Sequence, residues 1–149
     1  MKKPNILHIG ICSYQRYEGP SAAFIEAANE YREERPENVT EDLIDLGWHP
    51  DIIFLQVQSG NYPTALKTVL RHYANKGVKI IHFSGDIRHT TPDYMFDLAE
   101  VVTISCFSND RDVANMRAKG YRSEFLQIGI DPLNFTPDGP ANQLADIVF

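Results

Sequence analysis

Several features that identify particular protein classes are scarce or missing in this sequence of 149 residues. Its two cysteines, Cys12 and Cys106, are too few for a disulfide framework or a zinc site. Each follows an apolar, strand-like run, so we expect buried thiols in a reducing compartment. No segment approaches the ~20 apolar residues of a membrane span, and the short apolar run near the N-terminus has no small-residue cleavage signal. These absences predict a soluble, cytoplasmic protein without a transmembrane segment.

Basic charge and phosphate-binding motifs are scarce as well. The sequence has 14 Lys and Arg against 20 Asp and Glu, a net charge of −6. This balance argues against nucleic-acid binding, because such domains usually carry a basic stripe. The acidic excess lies between residues 26 and 45, and a solvated helix face accounts for it. There is no G-x-G-x-x-G after the first strand, no Walker A lysine motif and no G-x-S-x-G elbow, which argues against dinucleotide-binding, P-loop and serine-hydrolase proteins.

Short apolar, β-branched runs alternate with polar loops and helical patterns along the chain. The predicted strands cover residues 5–11, 51–57, 78–83, 101–105 and 123–130. The predicted helices cover residues 21–35, 40–47, 63–77, 91–98 and 108–120. In the first helix Phe24, Ala28 and Tyr31 share one face, and Thr91 is expected to cap the fourth. The alternation predicts a Rossmann-like α/β domain with a mostly parallel sheet of about five strands flanked by helices.

The main candidate for a functional site follows the predicted strand at residues 78–83. The polarity changes there at once, to Ser84, Gly85, Asp86, Arg88 and His89. In open parallel α/β sheets, ligands bind outside the carboxyl ends of the strands. A turn that carries a carboxylate, a guanidinium and an imidazole is therefore well placed for function. The alternative is a solvated loop with an internal Asp86–Arg88 ion pair.

Two further patterns suggest a metal but have simpler explanations. The D-R-D at residues 110–112 matches the D-x-D of metal-dependent sugar transferases, yet it falls in the first turn of a predicted helix, where acidic side chains complement the helix dipole. His82, Asp86 and His89 are close in sequence, but His82 lies within the strand and would alternate away from the loop. A core histidine is expected instead, and we predict no metal site.

The C-terminal end has a different composition. Residues 138–143 are rich in Pro, Gly and Asn, as linkers are, and residues 146–149 look like the opening of another strand. We therefore predict that residues 1–137 form one Rossmann-like domain. Residues 138–149 are then a linker and the first strand of a second domain that this chain lacks. An unpaired terminal strand could also promote homo-oligomers.

Four segments of the chain resemble a known family. They are Pro50–Gln58, Ile80–Arg88, Phe107–Asp110 and Leu126–Pro137. The pattern is similar to group 1 glycosyltransferases of the GT-B fold, in particular to the spore-maturation-protein-like branch. Its most specific part is the G-I-D at residues 129–131 with Phe135 and Pro137, similar to the G-[VI]-D…F-x-P at the end of that family's first domain. Residues 145–149 resemble the first strand of the family's second domain.

The resemblance implies transfer of a sugar from a nucleotide-sugar donor to an acceptor, with no cofactor and no obligatory metal. In this fold the N-terminal domain mainly holds the acceptor, so residues 1–137 would be the acceptor side and inactive alone. Family members place a catalytic or substrate-positioning polar residue in the loop that here contains Asp86, with Arg88 beside it. The chain departs from the family because it has no obvious glycine pair after the first strand. It also does not contain the family's donor-binding Glu motif.

Candidate substrate-binding residues come from the loops that follow the predicted strands. Arg16 or Arg88 could stabilise the charge that develops on a leaving diphosphate. Aromatic rings and planar amides that suit polyhydroxylated ligands are supplied by Tyr14, Gln15, Gln58, Asn61 and His89.

Two other functions remain open. A stand-alone sugar-binding or regulatory module would use the same loops without chemistry. A flavodoxin- or response-regulator-like domain has the same architecture. However, a phosphoacceptor receiver needs paired acids directly after the first strand, where this chain has Cys12, Ser13 and Tyr14.

Overall fold

The computed structural model describes residues 2–10, 19–45, 47–57, 59–85 and 89–126. The strands are β1 (Asn5–Ile9), β2 (Glu30–Glu34), β3 (Ile52–Leu55), β4 (Lys79–Ser84), β5 (Ile104–Phe107) and β6 (Ser123–Phe125). The α-helices are α1 (Gly19–Ala27), α2 (Thr64–Asn75), α3 (Asp93–Ala99) and α4 (Asp110–Ala118). Two short 3₁₀ helices, Pro36–Asn38 and Glu41–Ile44, connect β2 to β3.

The six strands form one sheet in the order β2-β1-β3-β4-β5-β6. Every neighbouring pair is parallel. This confirms the predicted Rossmann-like α/β fold. Because all strands run the same way, the loops that follow them leave from the same edge of the sheet, the carboxyl edge.

The predicted helix over residues 21–35 is wrong beyond Ala27. Ala28 N donates to Phe24 O at 2.8 Å and ends α1, and Glu30–Glu34 then pair with β1 as an edge strand. Glutamate and arginine are good helix formers, but pairing with β1 overrides that local preference. An edge strand also accommodates charged side chains. The sheet therefore has six strands instead of five, and the acidic stretch is not a single helix face.

Other predicted boundaries are shifted. The short helix after Thr40 is a 3₁₀ helix, and β5 begins three residues later than predicted, at Ile104. Val101 N and Val102 N still donate to Leu98 O, at 3.0 and 3.2 Å, so this segment continues the turn after α3. β6 covers Ser123 to Phe125, Leu126 follows it outside the strand, and residues 127–130 of the predicted strand lie outside the described residues.

The sheet separates two layers of side chains. On one side α2 and α3 cover a core that contains Leu55 and Ile80, and α3 and α4 cover Phe107. On the other side α1 places Phe24 against Phe54, with ring centroids 4.8 Å apart. The prediction that His82 is a core histidine is confirmed, since it is fully buried on the same side as Phe107, 6.0 Å away between ring centroids.

The described part of the chain contains no helix that combines the length and the apolar character needed to cross a bilayer.

Replacing Tyr73 by Phe should lower the free energy of unfolding by about 1 kcal/mol. Tyr73 is buried in α2, and its hydroxyl donates to the carbonyl of Leu43 at 2.6 Å, which ties α2 to the second 3₁₀ helix. Urea unfolding would measure the loss. The control is Tyr121→Phe, since the Tyr121 hydroxyl has no hydrogen bond with the residues described. Equal losses in the two variants would contradict a specific role for the Tyr73 bond.

Candidate functional site

The sheet order creates a crevice between β1 and β3 at the carboxyl edge. The connection that leaves β1 leads to β2 on one side, whereas the next connection crosses to β3 on the other side. In open α/β sheets ligands bind at such a switch point. The first residues beyond the strands at this point are Gly10 after β1 and Gln56 after β3.

A buried histidine links three polar side chains at this switch point. His8 is 1% exposed. Its Nε2 lies 2.9 Å from Gln56 Oε1, and its Nδ1 lies 2.9 Å from the Tyr31 hydroxyl. The Tyr31 hydroxyl oxygen also lies within hydrogen-bond distance of the Glu33 carboxylate, and its one proton can serve either Glu33 or His8. Polar contacts therefore run from Gln56 after β3 through His8 of β1 to Glu33 of β2.

Gly10 is required by the close packing of this cluster. A Cβ at residue 10 would lie 2.8 Å from His8 Nε2 and 3.1 Å from Gln56 Cβ. Real Cβ atoms do not approach other atoms so closely, so any larger residue would push the His8–Gln56 pair apart.

The hydrogen-bond partners define the proton positions on His8. The Gln56 oxygen only accepts, so Nε2 carries a proton. When His8 is neutral, Nδ1 accepts the Tyr31 proton; when His8 is charged, Nδ1 donates, and the Tyr31 proton is free to point to Glu33. Burial lowers the pKa of His8 below its ordinary value of 6.5, while the Gln56 bond and the Glu33 charge oppose that shift. The neutral ring is therefore favoured at pH 7.

The segment from Ser108 into the first turn of α4 holds the loop that follows β4 at both of its ends. Ser108 Oγ donates to Gly85 O at 2.8 Å. Arg111 Nη1 donates to His89 O at 2.9 Å. Two residues after His89, the Thr91 hydroxyl donates a hydrogen bond to the buried Asp112 carboxylate. The described ends of the loop are thus fixed relative to the start of α4.

The D-R-D at residues 110–112 lies in the first turn of α4, as predicted, and Asn109 is the N-cap. Asp112 nevertheless has a role that the dipole argument missed. It is fully buried and accepts from Thr91 and, at 2.8 Å, from Asn109 Nδ2. The prediction that Thr91 caps α3 is wrong, because its hydroxyl points to Asp112. Asp110 is exposed, so the two carboxylates do not face a common site.

Only two of the predicted site residues can be placed. Asn61 and His89 are both exposed, in the loops after β3 and β4 at the carboxyl edge. The Asn61 backbone N–H donates to Ser59 Oγ at 3.4 Å, and the neighbouring Gly60 lies against Tyr94 of α3. The remaining predicted residues lie outside the described part of the chain: Tyr14, Gln15, Arg16, Gln58, Asp86 and Arg88.

Sequence reasoning missed the switch-point cluster of His8, Gln56, Tyr31 and Glu33. Its one signal is a histidine inside an otherwise apolar strand, two residues before a glycine. Within the described ranges, no group of three or more His, Cys, Asp or Glu side chains is arranged to hold a metal ion.

No protein-family model, curated protein or solved structure matches this chain. Its function is therefore inferred from its own residues.

Acidification should destabilise the protein through His8. Because the pKa of His8 is lower in the folded state, the unfolded chain takes up the proton more readily. The stability that neutral His8 contributes is fully present above pH 6.5, the pKa of an unperturbed histidine. It is lost as the pH falls through the lowered pKa that His8 has in the folded protein. Urea unfolding at pH 7.5 and 5.5 measures this change. His8→Phe keeps a ring between Phe24 and Phe54, and its free energy of unfolding should fall less between pH 7.5 and pH 5.5 than that of the wild type. An equal fall in the two proteins would mean that other groups cause the pH dependence.

Replacing Thr91 by Val should lower the free energy of unfolding by about 1–3 kcal/mol. Valine has nearly the same shape but cannot donate to Asp112 or accept from Asn115 Nδ2, which lies 2.9 Å from the Thr91 hydroxyl. A buried carboxylate oxygen would lose its donor. The matched control is Thr68→Val on the exposed side of α2, where we expect a change within about 0.5 kcal/mol. Thermal or urea unfolding that ranks the two variants equally would contradict the role of Thr91.

Proposed function

We propose that this chain is the acceptor-side, N-terminal domain of a glycosyltransferase, which moves a sugar from a nucleotide-sugar donor to an acceptor. The observation that carries this proposal is the parallel sheet with its switch point between β1 and β3. In this arrangement β1, β3 and β4 all end at a single edge, and the predicted site residues belong to the segments that follow these strands in the sequence. The sequence resemblance to GT-B glycosyltransferases supplies the reaction type.

The side chains described at this edge suit an uncharged, polar ligand. Gln56, Asn61 and His89 offer amide and imidazole groups, whereas Glu33 contributes a negative charge. Proteins commonly bind small molecules with a few placed polar groups beside apolar and aromatic surface. This composition supports an acceptor that carries hydroxyl groups.

In the proposed mechanism Asp86 is the general base that takes the proton from the acceptor hydroxyl. Arg88 or Arg16 stabilises the negative charge on the leaving diphosphate. The resemblance puts the donor-binding site in a second domain, so residues 1–149 alone should not transfer sugar. No step of this mechanism needs a metal or a cofactor of the protein.

The test uses the complete reading frame. If it continues past Phe149 into a second α/β domain, the full-length protein should release the nucleoside diphosphate from a nucleotide sugar in the presence of its acceptor. Asp86→Asn should lower that rate by about 100-fold or more, the usual contribution of a general base. Asp93→Asn, an exposed acid in the first turn of α3, is the control and should keep the wild-type rate.

A reading frame without a second domain would contradict the two-domain proposal, and so would sugar transfer by residues 1–149 alone. The first result would favour the alternative of a stand-alone sugar-binding or regulatory module. That alternative has support of its own, because the described residues already form a sheet with buried cores. The two functions are separated by measuring turnover and binding on the same full-length protein.

A further inference from the structure

We propose that the side-chain amide of Gln56 is a ligand-binding hydrogen-bond donor at the switch point, and that His8 is the residue that positions it. The ligand group is an uncharged oxygen acceptor, a hydroxyl or carbonyl oxygen. Neither residue was among the predicted site residues, and the sugar identity of the ligand rests on the function proposed above.

The amide of Gln56 has one end engaged and one end available. Its oxygen accepts from His8 Nε2 at 2.9 Å. Its nitrogen has no hydrogen-bond acceptor among the described residues, although two N–H groups need one. Gln56 is half-buried at the carboxyl edge, where a ligand or solvent oxygen can reach these donors. The described residues therefore present a donor, not an acceptor, at this point.

His8 is held so that it can orient this amide. The rings of Phe24 and Phe54 stand edge-on to the imidazole, each with its centroid 5.6 Å away. The second ring nitrogen is bound to Tyr31. Burying a polar ring in a strand is costly unless both nitrogens are bonded. Here both are, and Nε2 donates to Gln56 in the neutral and in the charged state, which keeps the amide oriented.

A glycine and an aromatic side chain lie beside Gln56. Gly10 has no Cβ, which would otherwise lie 3.2 Å from Gln56 Oε1. Leu55 of β3 pairs with His82 of β4. The next residues along these two strands are Gln56 and Phe83, so Phe83 lies beside Gln56. Phe83 is half-buried and stacks on Phe54 with centroids 6.1 Å apart. An aromatic face beside an amide donor suits the apolar face and rim oxygens of a sugar ring.

The binding test uses the chain of residues 1–149 and nuclear magnetic resonance. Glucose, N-acetylglucosamine, mannose and rhamnose are titrated singly, with glucose 1-phosphate as the anionic probe and uracil and nicotinamide as neutral carbonyl probes. At least one neutral sugar should shift the side-chain amide pair of Gln56, which is assigned by its disappearance in Gln56→Glu. That variant keeps an oxygen for His8 but loses the N–H donors, and its affinity should fall about tenfold or more, the equivalent of about 1.4 kcal/mol. Asn75→Asp, an exposed amide-to-acid change at the end of α2, is the matched control.

The role of His8 is tested with His8→Phe. This variant keeps the packing of a ring but removes the donor to Gln56. We expect a folded protein whose affinity falls as much as that of Gln56→Glu and whose Gln56 amide pair moves before any ligand is added. Urea unfolding shows whether the variant is folded at the temperature of the titration. A folded His8→Phe with wild-type affinity would contradict the positioning role.

The outcomes separate this inference from the proposed function. If a sugar binds and Gln56→Glu binds it equally well, the inference fails and the proposed function stands. If only uracil or nicotinamide shifts the Gln56 amide, the donor site stands and the sugar-transferase proposal loses its support. If no probe shifts the amide, the inference is wrong.

Discussion

The parallel pairing of β1 with both β2 and β3 is the constraint on which the rest of the structure depends. Because β1 lies between them, its register fixes Tyr31 beside Ile6, and Phe54 beside His8. The same pairing brings Gln56 and Tyr31 within reach of the His8 ring from opposite sides. A shift of either neighbour by one residue would turn its side chains to the other face of the sheet. The switch-point cluster and the α1 packing are therefore both consequences of strand register.

The fold was predictable where burial gave the sequence a clear pattern. β3 is a continuous apolar run that is buried almost throughout, and α2 shows its buried stripe at Leu66, Val69 and Leu70. β2 was not predictable in this way. Its sequence, Glu30 to Glu34, contains good helix formers and no apolar alternation, and only its long-range pairing with β1 makes it a strand.

The candidate site was predictable in position but only partly in composition. The rule that ligands bind at the carboxyl ends of parallel strands directed attention to Asn61 and His89, which lie in loops at that edge. The same pattern analysis treats polar residues inside strands as exceptions, so His8 was passed over. Asp112 shows the same limit: its place in a helix was predictable, but its burial depends on Thr91, which is 21 residues earlier in the chain. Sequence periodicity predicts which face of a helix or strand is buried. It does not predict which polar side chains on different helices, strands and loops form hydrogen bonds with each other.

The two outer strands of the described sheet have opposite character. Every residue of β2 except Tyr31 is charged, and Arg32 forms an ion pair with Glu30 at 2.8 Å. A strand that paired with β2 would therefore have to desolvate several charged side chains. β6 has only three residues and is followed by Leu126, and both Phe125 and Leu126 expose more than a third of their surface. Within the described sheet, the charged margin therefore disfavours pairing with a strand of another chain, whereas the β6 margin carries exposed apolar side chains that an additional strand would cover.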